Sequence, residues 1–249
     1  MLLVNACVAE TATLNETATL KMRFVFDGDP PPQKQIGIPL RFAPPKGLPT
    51  DERLLVDPES NGIKNVLVYV YTGRGGSELA PSTNRTPKTR RMIMADARFA
   101  PHILVAQAGD TLEIIERGPN QYNPNPNFFA NSPPGAVVPP GKPWIYPDLK
   151  AEPAPIPVDC NIHPWMRAYV AILDHPFAAT SDSEGNLTIE GLPAGTSLVF
   201  RVFHEAGKID RVKMSGSDVE WPRGKFDVDL AVGMNDLGDI LVPSASLGP

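Results

Sequence analysis

Cys160, His163 and Met166 follow one another at C-x2-H-x2-M spacing inside the run Val158-Asp159-Cys160-Asn161-Ile162-His163-Pro164-Trp165-Met166. A thiol, an imidazole and a thioether are all metal donors. Thiolate with imidazole suits copper or zinc, and the added thioether tilts the choice towards copper. Successive residues of a strand point to opposite faces. A strand therefore could not aim all three donors at one point, whereas a tight loop between two strands can. The plainer alternative for Cys160 is a small buried hydrophobe with no chemistry of its own.

Such a loop needs strands on both sides of it. Ile156–Val158 and Ala168–Leu173 are predicted to supply them. Further upstream, Leu20, Met22, Phe24 and Phe26 alternate on one face, which predicts a strand over Leu20–Phe26. It is stopped by Asp27-Gly28-Asp29-Pro30-Pro31-Pro32, because Gly and a Pro triplet cannot continue a ladder. Residues 33–62 read as loop, with Leu54–Val56 a short edge strand. Val66–Tyr71 is β-branched and aromatic and predicts another strand. Thr72–Arg90 is a polar linker. Met92 and Met94 mark a short strand, and Arg98–Pro101 a corner. Ile103–Ala106 and Thr111–Ile115 are strands joined by Gln107-Ala108-Gly109-Asp110, with Gly109 placed for positive φ. Asn120–Pro147, dense in Asn and Pro, is predicted to be a long loop without regular structure, and a loop of that length is usually functional. Ser197–His204 alternates as a late strand.

The 249 residues suffice for one large or two ordinary domains. An apolar fraction of 42% can build a core, while 29 Pro and 20 Gly exclude long amphipathic helices. Net charge is −5 with acids and bases interspersed, which excludes a phosphate-binding footprint. No apolar run approaches the ~20 residues of a membrane span. Nor is there a Ser/His/Asp set, a P-loop or a dinucleotide fingerprint. Glu113, Glu116 and Glu152 show no pairing suited to acid/base work. Cys7 and Cys160 are the two cysteines, and if Cys160 is a ligand no intrachain disulfide remains. The start Val4-Asn5-Ala6-Cys7 resembles a bacterial lipoprotein cleavage site, without a positive n-region or a full apolar stretch.

The ligand loop is similar to that of cupredoxins, most closely the short loop of amicyanin. There a Cys, a His and a weak axial Met surround copper with a second His from an earlier strand. The phrases FAPHILV, GDTLEI, KAEPAPIPVDCNIHPWM, DSEGNLTIEGLPAG and FRVFHE extend the resemblance over most of residues 20–243. It points to bacterial cupredoxin-like proteins sometimes called methylamine-utilisation proteins. The D-x-x-G-x-[FL]-x-I…LPAG part also resembles carboxypeptidase-regulatory, or transthyretin-like, β-sandwich domains. Fold and layout are read accordingly. The class is all-β: a cupredoxin-like Greek-key β-sandwich combined with a transthyretin-like β-sandwich. Residues 1–19 form a poorly ordered leader, 20–85 with 176–243 the transthyretin-like sandwich, and 86–175 the cupredoxin-like unit inserted between its halves. Two consecutive domains, or one enlarged sandwich, are the alternatives to nesting.

In that group the strand after G-x-T-L leads into a phrase like N-S-D-P-x-G-H-N, whose His is the first copper ligand. Here the stretch reads Glu116-Arg117-Gly118-Pro119-Asn120-Gln121-Tyr122-Asn123, and Tyr122 falls at the His position. A phenol with pKa ~10 must lose its proton to bind well, unlike imidazole. Four arrangements follow. Cys160, His163 and Met166 hold copper with Tyr122 or water as fourth group; or Tyr122 fills an empty site, its hydroxyl bonded to His163 or a carbonyl; or His102 supplies the missing imidazole; or Tyr122 and Cys160 are covalently linked as a redox cofactor. His204 and His175 read as structural and turn residues.

The leading functional expectation is a mononuclear copper protein of electron transfer or a divergent redox role. One copper would be held by Cys160, His163, Met166 and Tyr122, with Cys160 carrying most of the covalency. His163 would be the solvent-edge imidazole through which electrons leave. Trp165 and Pro164 beside it would form the collar where a redox partner docks. A metal-free interaction domain is the rival, and a copper enzyme with a Tyr122–Cys160 cofactor the third reading. The resemblance implies a periplasmic or otherwise extracytoplasmic bacterial setting, with lipid anchoring at Cys7 a weaker reading.

Overall fold

The structure is a computed structural model that describes residues 16–44, 47–79, 85–117, 121–132 and 141–248. Cys7 and the residues before Glu16 lie outside the described residues, as do 118–120 of the phrase that ends at Tyr122. The fold is all-β. The helical segments among the described residues are three 3-10 turns, Leu40–Phe42, Pro222–Gly224 and Ser244–Ser246. Alternating and β-branched runs, cut short by Pro and Gly turns, favour strands over helices.

Leu20, Met22, Phe24 and Phe26 are buried on one face of the strand Thr17–Asp27, as the alternation predicts. The strand begins at Thr17 rather than Leu20, so the last residues assigned to the leader are part of the ladder. It pairs antiparallel with Asn186–Pro193 and parallel with Gly233–Pro243, so both ends of the described chain share one sheet. That sheet continues through Arg211–Met214 and Ser217–Glu220. A second sheet runs in the order Ala178–Thr180, Leu67–Val70, Thr196–Phe203, Lys225–Leu230. Their inner faces meet over Leu20, Phe24, Val68, Phe200, Trp221 and Ile240. Trp221 stacks on Phe226 at 4.1 Å between ring centroids and meets Phe24 edge-on, the geometry aromatic quadrupoles favour. Leu54–Val56 forms no strand; Val56 makes an isolated bridge to Ile63.

Residues between these elements build two further sheets. One orders Ile103–Gln107, Arg167–Leu173, Ile156–Cys160 and Pro124–Pro126; the other Arg98–Ala100, Thr89–Ala95, Thr111–Glu116 and Trp144–Tyr146. Met92, Met94, Phe99, Leu112, Val158 and Val170 fill the space between them. The segment expected to be structureless over Asn120–Pro147 therefore contains two short strands. Pro124 and Pro126 are tolerated because Pro124–Pro126 is an edge strand, where ladder donors are not demanded of every residue. Hydrogen bonds at its two flanks hold it instead: Asn127 N–H donates to Pro157 O, and Asn123 O accepts from Asn161 N–H, both at 2.9 Å. Glu152, buried, accepts the backbone N–H groups of Phe129, Ala130 and Asn131 at 3.0–3.2 Å and so pins the adjoining loop.

The two pairs of sheets share an apolar seam of Leu67, Tyr69, Ile103, Ala171 and Leu173. Beside it lies an ionic clasp: His102 pairs through Nε2 with Glu205 and faces Glu52 at 3.7 Å through Nδ1, and Glu52 in turn receives Arg98 at 3.1 Å. A second carboxylate, Asp110, is fully buried and accepts Arg85, Arg90 and the backbone of Lys88 and Gln107. Burial alone would raise its pKa, but those four donors hold it down at about 2.

Candidate metal centre

Ile156–Cys160 delivers Cys160 at its last residue, and the chain then turns through Asn161–Met166 before Arg167–Leu173 returns antiparallel to it. Met166 N donates to His163 O at 2.9 Å, which closes the turn. Asp159 and Arg167 bridge the base of the loop at 2.7 Å. On the other side the register pairs Pro124 with Cys160. Tyr122, two residues before Pro124, is thereby carried next to the loop.

The side chains converge. Cys160 Sγ and His163 Nδ1 are 3.5 Å apart, and the backbone N–H of Asn123 donates to the same sulfur at 3.5 Å. The Tyr122 and His163 rings meet edge-on with centroids 5.1 Å apart. Cys160, Met166 and Tyr122 belong to one buried cluster. His163 itself is only 1% exposed, and its Nε2 is buried with no hydrogen-bond partner. Burial pushes the imidazole pKa below its ordinary value, so the ring is neutral at pH 7. Neutral imidazole is the form that binds metals.

This overturns the expectation of a solvent-edge His163. Phe42, from the 3-10 turn Leu40–Phe42, stands edge-on over the ring at 4.7 Å, and Trp165 covers it at 5.1 Å. Arg41 lies over the outer face of Phe42 at 4.7 Å. The exposed residues of the loop are Asn161, Ile162 and Pro164, with Ile162 40% exposed. Any partner would meet Ile162, Pro164 and Phe42 before it met His163. Nothing local in the sequence marks Phe42, which lies more than a hundred residues from the loop it covers. Asn123 was equally invisible, since a backbone N–H carries no residue signature.

Truncating the cover tests its role. In Phe42→Ala, water reaches the ring and the charged imidazolium is no longer penalised. The His163 pKa should then rise towards the ordinary value of ~6.5, read from its ring proton shifts in an NMR pH titration. An unchanged titration would mean that Trp165 and the cluster alone keep the ring dry.

The other histidines stand elsewhere. His102 is engaged by the two carboxylates of the clasp rather than by Cys160. His175 Nε2 contacts Val70 O at 2.8 Å, and His204 is held between Lys64 O and Ala206 N, with burial driving its pKa to about 4. Among the described residues no three His, Cys, Asp or Glu side chains gather to hold a metal ion. A metal here would therefore draw on Met166 and Tyr122 beside Cys160 and His163. The donor chemistry fits copper. The 3.5 Å between sulfur and nitrogen is a span that two donors sharing a metal reach at bond lengths of about 2.0–2.3 Å, and the set joins soft thiol and thioether sulfur to imidazole and a phenol, without carboxylate.

The chain matches no protein-family model and no curated protein. Among solved structures it is similar to a pseudoazurin from Sinorhizobium meliltoi, with a TM-score of 0.25 and 19% identity over 35% of this chain and 74% of that one. An oxidised amicyanin mutant aligns with a TM-score of 0.26 and 14% identity, over 42% of this chain and 97% of that one. A reduced amicyanin mutant gives 0.27 and 17% over the same shares. With TM-scores this low, nothing about the site follows from the likeness.

Proposed function

We propose that the chain is a cupredoxin-like protein that binds one copper ion and serves electron transfer or a related one-electron role. On this reading residues 86–175 are the cupredoxin-like unit, set within a transthyretin-like sandwich of 20–85 and 176–243, in an extracytoplasmic bacterial setting. The observation that carries it is the buried approach of Cys160 Sγ to the neutral imidazole of His163 at 3.5 Å, with Met166 and Tyr122 in the same buried cluster as Cys160 and the Tyr122 ring beside His163. Bound copper would supply a one-electron couple. The residues of the chain do the rest. Cys160 would supply thiolate sulfur to the metal, at an atom the Asn123 N–H reaches at 3.5 Å. His163 presents Nδ1 to the same point. Met166 contributes a soft neutral donor, and Tyr122 stands where a second imidazole is expected. Phe42 and Trp165 keep water from the ring.

A copper titration of the purified chain tests this, followed by visible absorption and by metal analysis after desalting. One retained copper per chain with thiolate-to-metal colour is the expected result. Tyr122→His, which restores the second imidazole, should add an ordinary blue site and tighten copper binding by about tenfold or more, within the range that one ligand's surroundings control. If Tyr122→His neither colours nor binds more tightly, that residue does not stand at the ligand position.

A metal-free interaction domain has one observation in its favour, the Phe42 edge seated over His163. That arrangement predicts no retained copper and a Cys160 that reacts with thiol reagents only after unfolding. The Tyr122–Cys160 crosslink predicts instead a mass deficit of two hydrogens in the denatured chain, shared by the peptides that contain those residues.

A further inference from the structure

Beside Tyr69 of the seam, a cavity of about 460 Å³ lies among three cations and a buried phenol. Arg201, Lys208 and Arg223 line it, with Asp210 the single carboxylate in its wall. None of the three cations makes an ion pair among the described residues, although Arg53, Arg85, Arg90, Arg91, Arg98, Arg167 and Arg211 all do. A net excess of positive charge is thus collected in one hollow of a chain whose own charge is −5. Opposite charge focused by low-dielectric walls draws an anion.

The floor adds a second sign. Tyr69 is 4% exposed, and its buried hydroxyl has Arg201 beside it, a group that can only donate, so the phenol proton itself finds no acceptor. Tyr69 and Arg201 are cross-strand neighbours, so the phenol and a guanidinium stand side by side. Buried donors are normally satisfied, and a lone one in a native fold calls for a missing acceptor. Arg223 holds a left-handed backbone, φ 59° and ψ 31°, unusual for a residue with a side chain. Such conformations persist at sites where they place a group for use. Next to it Gly224 lies so close to Val202 that a Cβ would meet the carbonyl oxygen at 2.8 Å, which fixes the turn against the strand. Most of the remaining wall is apolar, Phe203, Ile209 and Pro155 among it, and His204, kept neutral by burial, is its other polar side chain.

We propose that this cavity binds a small carboxylate with an apolar body, the carboxylate set between Tyr69 and the Arg201 and Arg223 guanidiniums. A planar guanidinium donates two parallel N–H bonds to the two oxygens of a carboxylate, and the Tyr69 hydroxyl donates to one of them. The apolar wall takes the body, as in pockets of this size generally. A phosphate would bring more charge than the apolar wall can desolvate cheaply. The site is separate from the candidate copper centre, but Ala154 and Pro155 in its wall lead directly into the strand Ile156–Cys160. An occupant there would brace the strand that carries the thiol.

Calorimetric titration of the full chain with benzoate, benzamide and inorganic phosphate tests the proposal. Benzoate should bind saturably at one per chain. Benzamide, which has the same shape without the charge, should bind at least about tenfold more weakly. Arg223→Ala, at an exposed turn, should weaken benzoate by about tenfold while leaving the melting temperature unchanged. Tyr69→Phe should weaken benzoate without lowering the melting temperature by more than a few degrees, since it removes a buried hydroxyl whose proton has no acceptor. The proposal is overturned if benzoate shows no saturation up to about 10 mM, if benzamide binds as well, if phosphate binds more tightly than benzoate, or if Arg223→Ala leaves benzoate binding intact.

Discussion

Cys160→Ser should abolish thiolate-to-metal colour and lower copper affinity by more than about 100-fold. Loss of an outer-shell partner alone costs 10–100-fold, and here the one anionic soft donor is removed. The fold should survive. Serine is close in size, and its oxygen can still accept the Asn123 N–H that now reaches the sulfur at 3.5 Å. The cost to stability is then that of a polar atom in the buried cluster, about 1–3 kcal/mol. Far-ultraviolet circular dichroism and urea unfolding would establish that the variant is folded; metal analysis after desalting reads the affinity. If Cys160→Ser keeps coloured, tightly held copper, the metal is held elsewhere and the cupredoxin reading fails. If neither wild type nor variant retains copper, the interaction-domain reading gains.

The strands were legible where one face is wet and the other dry. Leu20–Phe26 alternates because it lies over the core of Phe24, Phe200 and Trp221 and shows its other face to solvent. The short runs expected over Ile103–Ala106 and Ala168–Leu173 were legible for a different reason: the strands Ile103–Gln107 and Arg167–Leu173 are largely buried and carry branched residues. Pro124–Pro126 escaped because a strand of Pro-Asn-Pro contradicts every local preference. Its pairing is imposed from outside, by the register with Val158 and Cys160 and by a hydrogen bond at each flank, Asn127 donating and Asn123 accepting.

The candidate site divides in the same way. Cys160, His163 and Met166 are close in sequence, so their meeting in one loop could be read from spacing. Tyr122 came from the comparison of phrases, and the structure puts its ring beside His163 through the Pro124–Cys160 register. Phe42 could not be found. It comes from another part of the chain and contributes an ordinary aromatic ring whose only mark is where it ends up. For the same reason the clasp of His102 with Glu205 and Glu52 was invisible: three residues of unremarkable local context, up to 153 positions apart (205 − 52), meet at the seam.

That clasp carries the second large effect. Glu205→Gln keeps the shape and a hydrogen-bonding group but deletes the charge opposite a buried imidazolium. The His102 and Glu205 side chains are 9% and 5% exposed, and breaking a buried pair by removing one partner costs about 3–5 kcal/mol. The lower end is expected, because Glu52 remains at 3.7 Å. The pH dependence identifies the cause. Burial lowers the His102 pKa, but hydrogen bonding to Glu205 and Glu52 and their charges outweigh it and raise it to about 9. A pKa raised in the folded state gives stability that is complete below the unfolded value of ~6.5 and is lost as pH rises through about 9. Wild type should therefore lose roughly 2 kcal/mol between pH 7 and pH 9.5. His163, His175 and His204 do not confuse the reading: burial lowers all three, so above pH 7 they are neutral both folded and unfolded. In Glu205→Gln most of that slope should vanish, because His102 titrates closer to its unfolded value. Urea unfolding of both chains at the two pH values measures it. Parallel losses in wild type and variant would show that the clasp does not hold its proton, and that the seam is kept closed by Leu67, Tyr69, Ile103, Ala171 and Leu173 alone.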